Sequence, residues 1–204
     1  MNTPVSYPQH SSSAPSHFAP SYSRVKGLAS VEMTFIVPIL LLIMMGIFEL
    51  TQVIQANNII ISISREGANL ISRNSSQTPE QVMDTIASTS DPLNLDQDGI
   101  IYINLVVGRE DDSGNPIDPV LNQQYRWGDF GYSAQSSTWD ECTQWGGSDN
   151  GTCDIGDTDP VLTNFPLQLD SGESVYVVEV IYRYSPISTL IFDSDFTIKE
   201  LTYL

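Results

Sequence analysis

Residues 33–48 read MTFIVPILLLIMMGIF, and no charged side chain interrupts them. With Leu28–Val31 before and Leu50 after, the apolar stretch approaches the roughly 20 residues that cross a bilayer as a helix. Glu32 stands near one end of it and Glu49 at the other. A surface helix of a soluble domain shows a polar face, and this stretch has none. The expected element is a single membrane-spanning helix. Pro38 inside it predicts a local kink, which a membrane helix tolerates.

The helical pattern continues past the span. From Thr51 to Ser72 there is no proline, and Gly67 is the only glycine. Val53, Ala56, Ile60, Ile63, Gly67 and Leu70 recur at spacings of three and four, one apolar stripe of an amphipathic helix. Ile59–Ile61 also fits a strand. The stripe predicts one long helix, its first half in lipid and its second half packed on a domain. Asn74-Ser75-Ser76-Gln77 ends the pattern. Thr78-Pro79-Glu80-Gln81 opens a second helix, with Thr78 as cap, Pro79 at the first helical position and Gln81 closing a capping box. That helix should end near Ser90, before Asp91-Pro92.

Beyond it, Ile100–Val107 (IIYINLVV) and Val175–Tyr184 (VYVVEVIYRY) are rich in β-branched residues and read as buried strands. Phe196–Leu204 is polar at alternate positions and reads as a half-exposed strand. Residues 109–174 between the first two are full of Gly, Asp, Asn and Ser, and read as a long irregular insertion, uncommon in a compact domain. The expected fold is α+β: a long N-terminal transmembrane helix continuing into an amphipathic helix packed on a small, mainly antiparallel sheet.

Toward the N-terminus, residues 1–23 are dominated by Ser, Pro and small side chains, and read as a disordered leader. Arg24 and Lys26 immediately precede the apolar run, and the next basic residue is Arg65. The positive-inside rule then places the N-terminus in the cytoplasm and the remainder outside. All 25 acidic residues follow Gly27, against six of the eight basic ones. So acidic a chain repels nucleic acid, which is not an expected partner. Both histidines, His10 and His17, lie in the leader. A chain starting after Gly27 therefore lacks the commonest general base and most zinc chemistry, and no enzyme is expected.

Three lesser features complete the reading. Cys142 and Cys153 lie beyond the anchor on its expected oxidising side, so a disulfide is expected, worth about 2–3 kcal/mol in the chain-entropy model. Asn94, Asp96 and Asp98 place oxygen donors at alternate positions before Gly99, like the first half of a calcium loop. The twelfth position of such a loop is Leu105, in a strand, so a solvated acidic turn is preferred to calcium; no other cofactor is expected. Tyr125, Trp127, Phe130, Tyr132, Trp139 and Trp145 crowd the insertion. A satellite core beside the disulfide is preferred to a sugar- or protein-binding surface.

The segment that carries the function is Lys26-Gly27-Leu28-Ala29-Ser30-Val31-Glu32-Met33. A basic residue, a glycine, and an apolar run with one acid five positions past the glycine resemble a type IV prepilin processing site. Pro38 with Ile39–Met45 resembles the anchor of the TadE-like family, and Ser64-Arg65-Glu66-Gly67-Ala68 resembles that family's A-R-E-G-A-R segment. Ser64 and Asn69 depart from that pattern, as does the long insertion. Whether the chain is closer to TadE or TadF stays open.

The resemblance implies a minor pseudopilin of the tight-adherence type IV pilus system, a structural subunit in pilus assembly, adhesion and biofilm. It implies a cytoplasmic leader, 1–27, removed by prepilin peptidase between Gly27 and Leu28. It also implies a transmembrane helix, 28–54, and a periplasmic pilin-like domain, 55–204, in the bacterial inner membrane. Glu32 would pair with the new amine of Leu28 on a neighbouring subunit, since a lone carboxylate near lipid is costly. Arg65 and Glu66 would cap the helix or bridge to the domain, and Gly67 would let the sheet approach closely. Expected partners are the peptidase, other pilin-like subunits, inner-membrane assembly proteins and the lipid bilayer. The alternative is a single-pass, membrane-anchored calcium- or glycan-binding extracytoplasmic protein.

Overall fold

The computed structural model describes residues 26–73, 76–127, 132–147, 151–156, 159–188 and 192–204. Most of the expected leader, Asn74-Ser75 and Phe130 lie outside them. The chain divides into two compact units, Met1–Met44 and Met45–Leu204. The described part of the first is helical, and the large apolar side chains from Val31 to Met44 are exposed. One helix, α1 (Lys26–Arg73), supplies that segment and runs on into the second unit. It is helical on both sides of Pro38 and through Ile59–Ile61, so the strand alternative there gives way to the apolar stripe.

In the second unit α1 is followed by α2 (Pro79–Ala87), the single turn α3 (Leu95–Asp98), and strands β1 (Gly99–Glu110), β2 (Pro116–Trp127), β3 (Trp145–Gly146), β4 (Thr152–Cys153), β5 (Ser174–Tyr184) and β6 (Phe196–Tyr203). The strands form one antiparallel sheet in the order β3-β4-β2-β1-β5-β6. The fold is α+β, a helix packed on an antiparallel sheet. The capping box of α2 is formed: the Gln81 N–H donates to Thr78 Oγ1 at 3.4 Å and the Thr78 N–H donates to Gln81 Oε1 at 3.2 Å.

The expectation of an irregular insertion over 109–174 is corrected by β2. It pairs with β1 as a hairpin, from Glu110↔Pro116 to Ile101↔Trp127. Two prolines and four consecutive polar or half-polar residues mask its strand pattern in the sequence. Pairing to β1 overrides that weak local preference. The turn is made by Asp111, whose Oδ1 accepts from the Ser113 N–H at 2.8 Å and the Asn115 N–H at 2.9 Å. The rest of the insertion does lack long elements; among its described residues only the two-residue strands β3 and β4 form.

Both faces of the sheet are covered. On one, Ile60, Ile63, Ala68 and Ile71 of α1 and Val82, Met83 and Ile86 of α2 meet Ile101, Ile103, Val178 and Val180. On the other, Val106, Leu121, Val175 and Val177 meet Leu162 and Leu169 from the insertion, while Ile100, Tyr102 and Ile181 meet Tyr132, Ala134 and Trp145. A strand buried on both faces shows no apolar–polar alternation, which is why β5 reads as a β-branched run broken in its middle only by Glu179. The expected single aromatic satellite is likewise corrected. Tyr125 and Trp127 pack on the helix side, Trp139 joins Leu162 and Leu169, and Tyr132 and Trp145 cover Tyr102. Tyr125 and Trp127 stand two residues apart on β2 and share its helix face, whereas Tyr132, Trp139 and Trp145, which follow β2, pack on the other face of the sheet.

Candidate functional site

The stripe on α1 is the surface on which the domain is built. Ala56, Ile60, Ile63, Gly67 and Ala68 are buried, and Val53 and Leu70 are half-buried. Gly67 sits at the tightest crossing: a Cβ there would lie 2.8 Å from Ile86 Cδ1 and 3.2 Å from Val178 Cγ1. Arg65 and Glu66 lie on the opposite side, both exposed. Neither makes an ion pair among the described residues. At about 3.6 residues per turn these two positions face outward while Ser64 and Gly67 turn inward.

Ser64, which departs from the family pattern, is fully buried. Its hydroxyl stands 3.0 Å from the Val178 carbonyl and 2.8 Å from Thr202 Oγ1, so it reaches the backbone of β5 and the side chain of β6 at once. The hydroxyl's one donor and two acceptor sites suit such a double contact.

Glu49 is the largest surprise. It reads in the sequence as the charge that ends the apolar run, yet it is 1% exposed. Its Oε1 accepts from the Tyr184 hydroxyl at 2.9 Å and from the Ile187 N–H at 3.2 Å. Burial, then the hydrogen bond and charge of Glu49, push the Tyr184 phenol up to about 12.

A second buried acid lies on the other face of the sheet. Glu179 in β5 is fully buried; Ser136 Oγ donates to its Oε2 at 2.7 Å, and the Ser137 N–H reaches both carboxylate oxygens at 2.9 Å. Lys199 Nζ donates to Ser137 Oγ. This carboxylate organises the start of the covering segment, a role with a faint signal in the sequence: one acid in the middle of a β-branched run. Gln124 Nε2 donates to the Trp139 carbonyl at 2.9 Å. Cys142 and Cys153 form a disulfide, Cα atoms 6.1 Å apart, which fastens the same segment to β4. Beneath it lies a cavity of about 470 Å³ whose lining includes Tyr102, Gln124, Arg126, Trp139 and Trp145. The Arg126 guanidinium lies 4.2 Å from the Trp145 ring centre, a cation–π contact.

Of the calcium-loop residues, Asn94 precedes α3 and Asp96 and Asp98 lie within it. The Asn94 carbonyl accepts from the Asp98 N–H at 3.0 Å. Asp98 Oδ1 accepts from Arg183 Nε at 3.1 Å and from its Nη2, so this donor is engaged by a guanidinium. Among the described residues no group of three or more His, Cys, Asp or Glu side chains is gathered to hold a metal.

Gly27 and Leu28 lie in the first turn of α1, and Glu32 is an exposed position one turn further on. The class defined by these features is a protein with, among the described residues, one helix long and apolar enough to cross a membrane, which runs on into an α+β domain. Residues 27–69, about a fifth of the chain, match the family model described as TadE-like protein. The match takes in Gly27, Glu32, Pro38 and Arg65-Glu66-Gly67. Over this segment the chain is similar to that family. No curated protein and no solved structure matches the chain.

Proposed function

We propose that the chain is a minor pseudopilin, a structural subunit in assembly of a tight-adherence type IV pilus. The observation that carries this reading is the TadE-like match over residues 27–69, on a helix that begins apolar and ends as a domain-packing stripe. In this reading residues 28–54 anchor the chain in the bacterial inner membrane, with the N-terminus cytoplasmic and residues 55–204 periplasmic. Prepilin peptidase cuts between Gly27 and Leu28. Glu32 is an exposed carboxylate on an otherwise apolar surface, and it needs a cation. A neighbouring subunit's Leu28 amine supplies one. Other pilin-like subunits then pack laterally on the apolar helix, and inner-membrane assembly proteins supply the driving energy.

N-terminal sequencing of the membrane-associated protein tests the first step; the expected first residue is Leu28. Glu32→Ala should still give an inserted, processed chain, with subunit crosslinking and pilus number both lost. An unprocessed mature chain, or wild-type pilus number in Glu32→Ala, overturns the proposal.

A further inference from the structure

We infer that Ile187, just after β5, contacts lipid, seating the domain on the near surface of the bilayer that α1 crosses. This rests on α1 being a membrane span. Ile187 is 66% exposed, the most exposed large apolar side chain among the described residues of the second unit. Its backbone N–H donates to Glu49 Oε1 at 3.2 Å. That bond holds Ile187 beside the helical turn that carries Ile47, Phe48 and Leu50, whose side chains are 62%, 53% and 54% exposed. Those residues close the apolar run, so whatever covers them lies at the level of Ile187. For a helix that spans a membrane, the cover is the lipid surface.

Two further features fit shallow insertion. A backbone amide near hydrocarbon must be paired within the protein, and Glu49 pairs this one. Glu49 Oε1 in turn accepts from both the Tyr184 hydroxyl and this amide. The segment continues to Asp193 and Asp195, both exposed carboxylates. The contact is therefore apolar, not an attraction of basic residues to anionic headgroups, and should be insensitive to salt.

The test uses the full chain in phosphatidylcholine vesicles, with Ile187→Cys, Leu42→Cys and Ser113→Cys each carrying a polarity-sensitive fluorophore. Ser113 is the aqueous control. It lies in the β1–β2 turn, and the register of β1 on β5, from Val107↔Ser174 to Gly99↔Tyr182, puts that turn at the end of the sheet remote from Ile187. The labels at 187 and 42 should lose most of their emission to acyl-chain nitroxide lipids and resist aqueous iodide; the label at 113 should do the reverse. If 187 behaves like 113 while 42 stays lipid-exposed, the seating proposal fails and the span stands. If 42 is itself reached by iodide, the span reading fails first. Shielding of 187 from both quenchers, or shielding that appears only at high protein density, means that a protein neighbour covers it and overturns the lipid contact.

Discussion

Glu49 Oε1 and the Tyr184 hydroxyl meet at 2.9 Å across 135 residues of sequence, tying the end of the apolar run to the end of β5. The bond is buried on both sides, so its two groups have no water to fall back on. It sets where along α1 the domain begins.

Removing the hydroxyl should therefore destabilise the fold. Tyr184→Phe leaves Glu49 Oε1 with the Ile187 N–H alone among the described residues and should cost about 1–2 kcal/mol. Glu49→Ala orphans both donors and opens a gap, and should cost more, about 2–4 kcal/mol. Denaturation midpoints of the full chain in detergent measure both. Wild-type midpoints would mean that the contact contributes nothing.

Alkali should weaken the same contact. Tyr184 titrates higher folded than unfolded, about 12 against 10.0. Its contribution to stability is complete below pH 10.0 and is lost as pH rises through about 12. Phenolate absorbance followed through alkaline pH should show a last tyrosine step that Tyr184→Phe removes. An unchanged titration in the variant would assign that step elsewhere.

At Gly67 two effects oppose each other. An alanine gains about 1 kcal/mol of helix propensity. Its Cβ presses on Ile86 Cδ1, the mobile end of a side chain, and more gently on Val178. Gly67→Ala should come out within about 1 kcal/mol of wild type, while Gly67→Val should lose about 1–3 kcal/mol to overpacking. If valine is tolerated as well as alanine, the crossing is looser than its geometry.

Asn104, in the middle of β1, is fully buried, and among the described residues neither of its amide atoms has a hydrogen-bond partner. An unpaired buried amide costs about 1–3 kcal/mol. Asn104→Val, close in size and suited to a strand, should raise the denaturation midpoint. A lowered midpoint would show that the amide is held by a partner that valine cannot replace.

Much of the architecture was legible because its signals are local. The charge-free run, the three-four stripe ending at Leu70, the Thr78–Gln81 cap and the β-branched runs of β1 and β5 each follow from neighbours a few residues apart. β2 was not legible, because Pro116 and Pro119 and its polar centre hide a strand held by pairing to β1. At the candidate site, Gly67 could be anticipated from its place in the stripe. Arg65 and Glu66 could not be given partners, since which side of a helix meets the domain depends on what packs there.

The sequence by itself determined that an apolar helix leads into an amphipathic one, that a sheet follows, and that two cysteines lie beyond the anchor. Only the tertiary structure decided that Glu49 is a buried acceptor and not a boundary charge, that Ser64 joins β5 and β6, and that Glu179 organises the covering segment. The reason is one of range. Periodicity and capping are written in residues close along the chain, whereas a buried carboxylate is tolerated only when donors from distant strands arrive on it. Their arrival depends on strand register, which no short stretch of sequence contains.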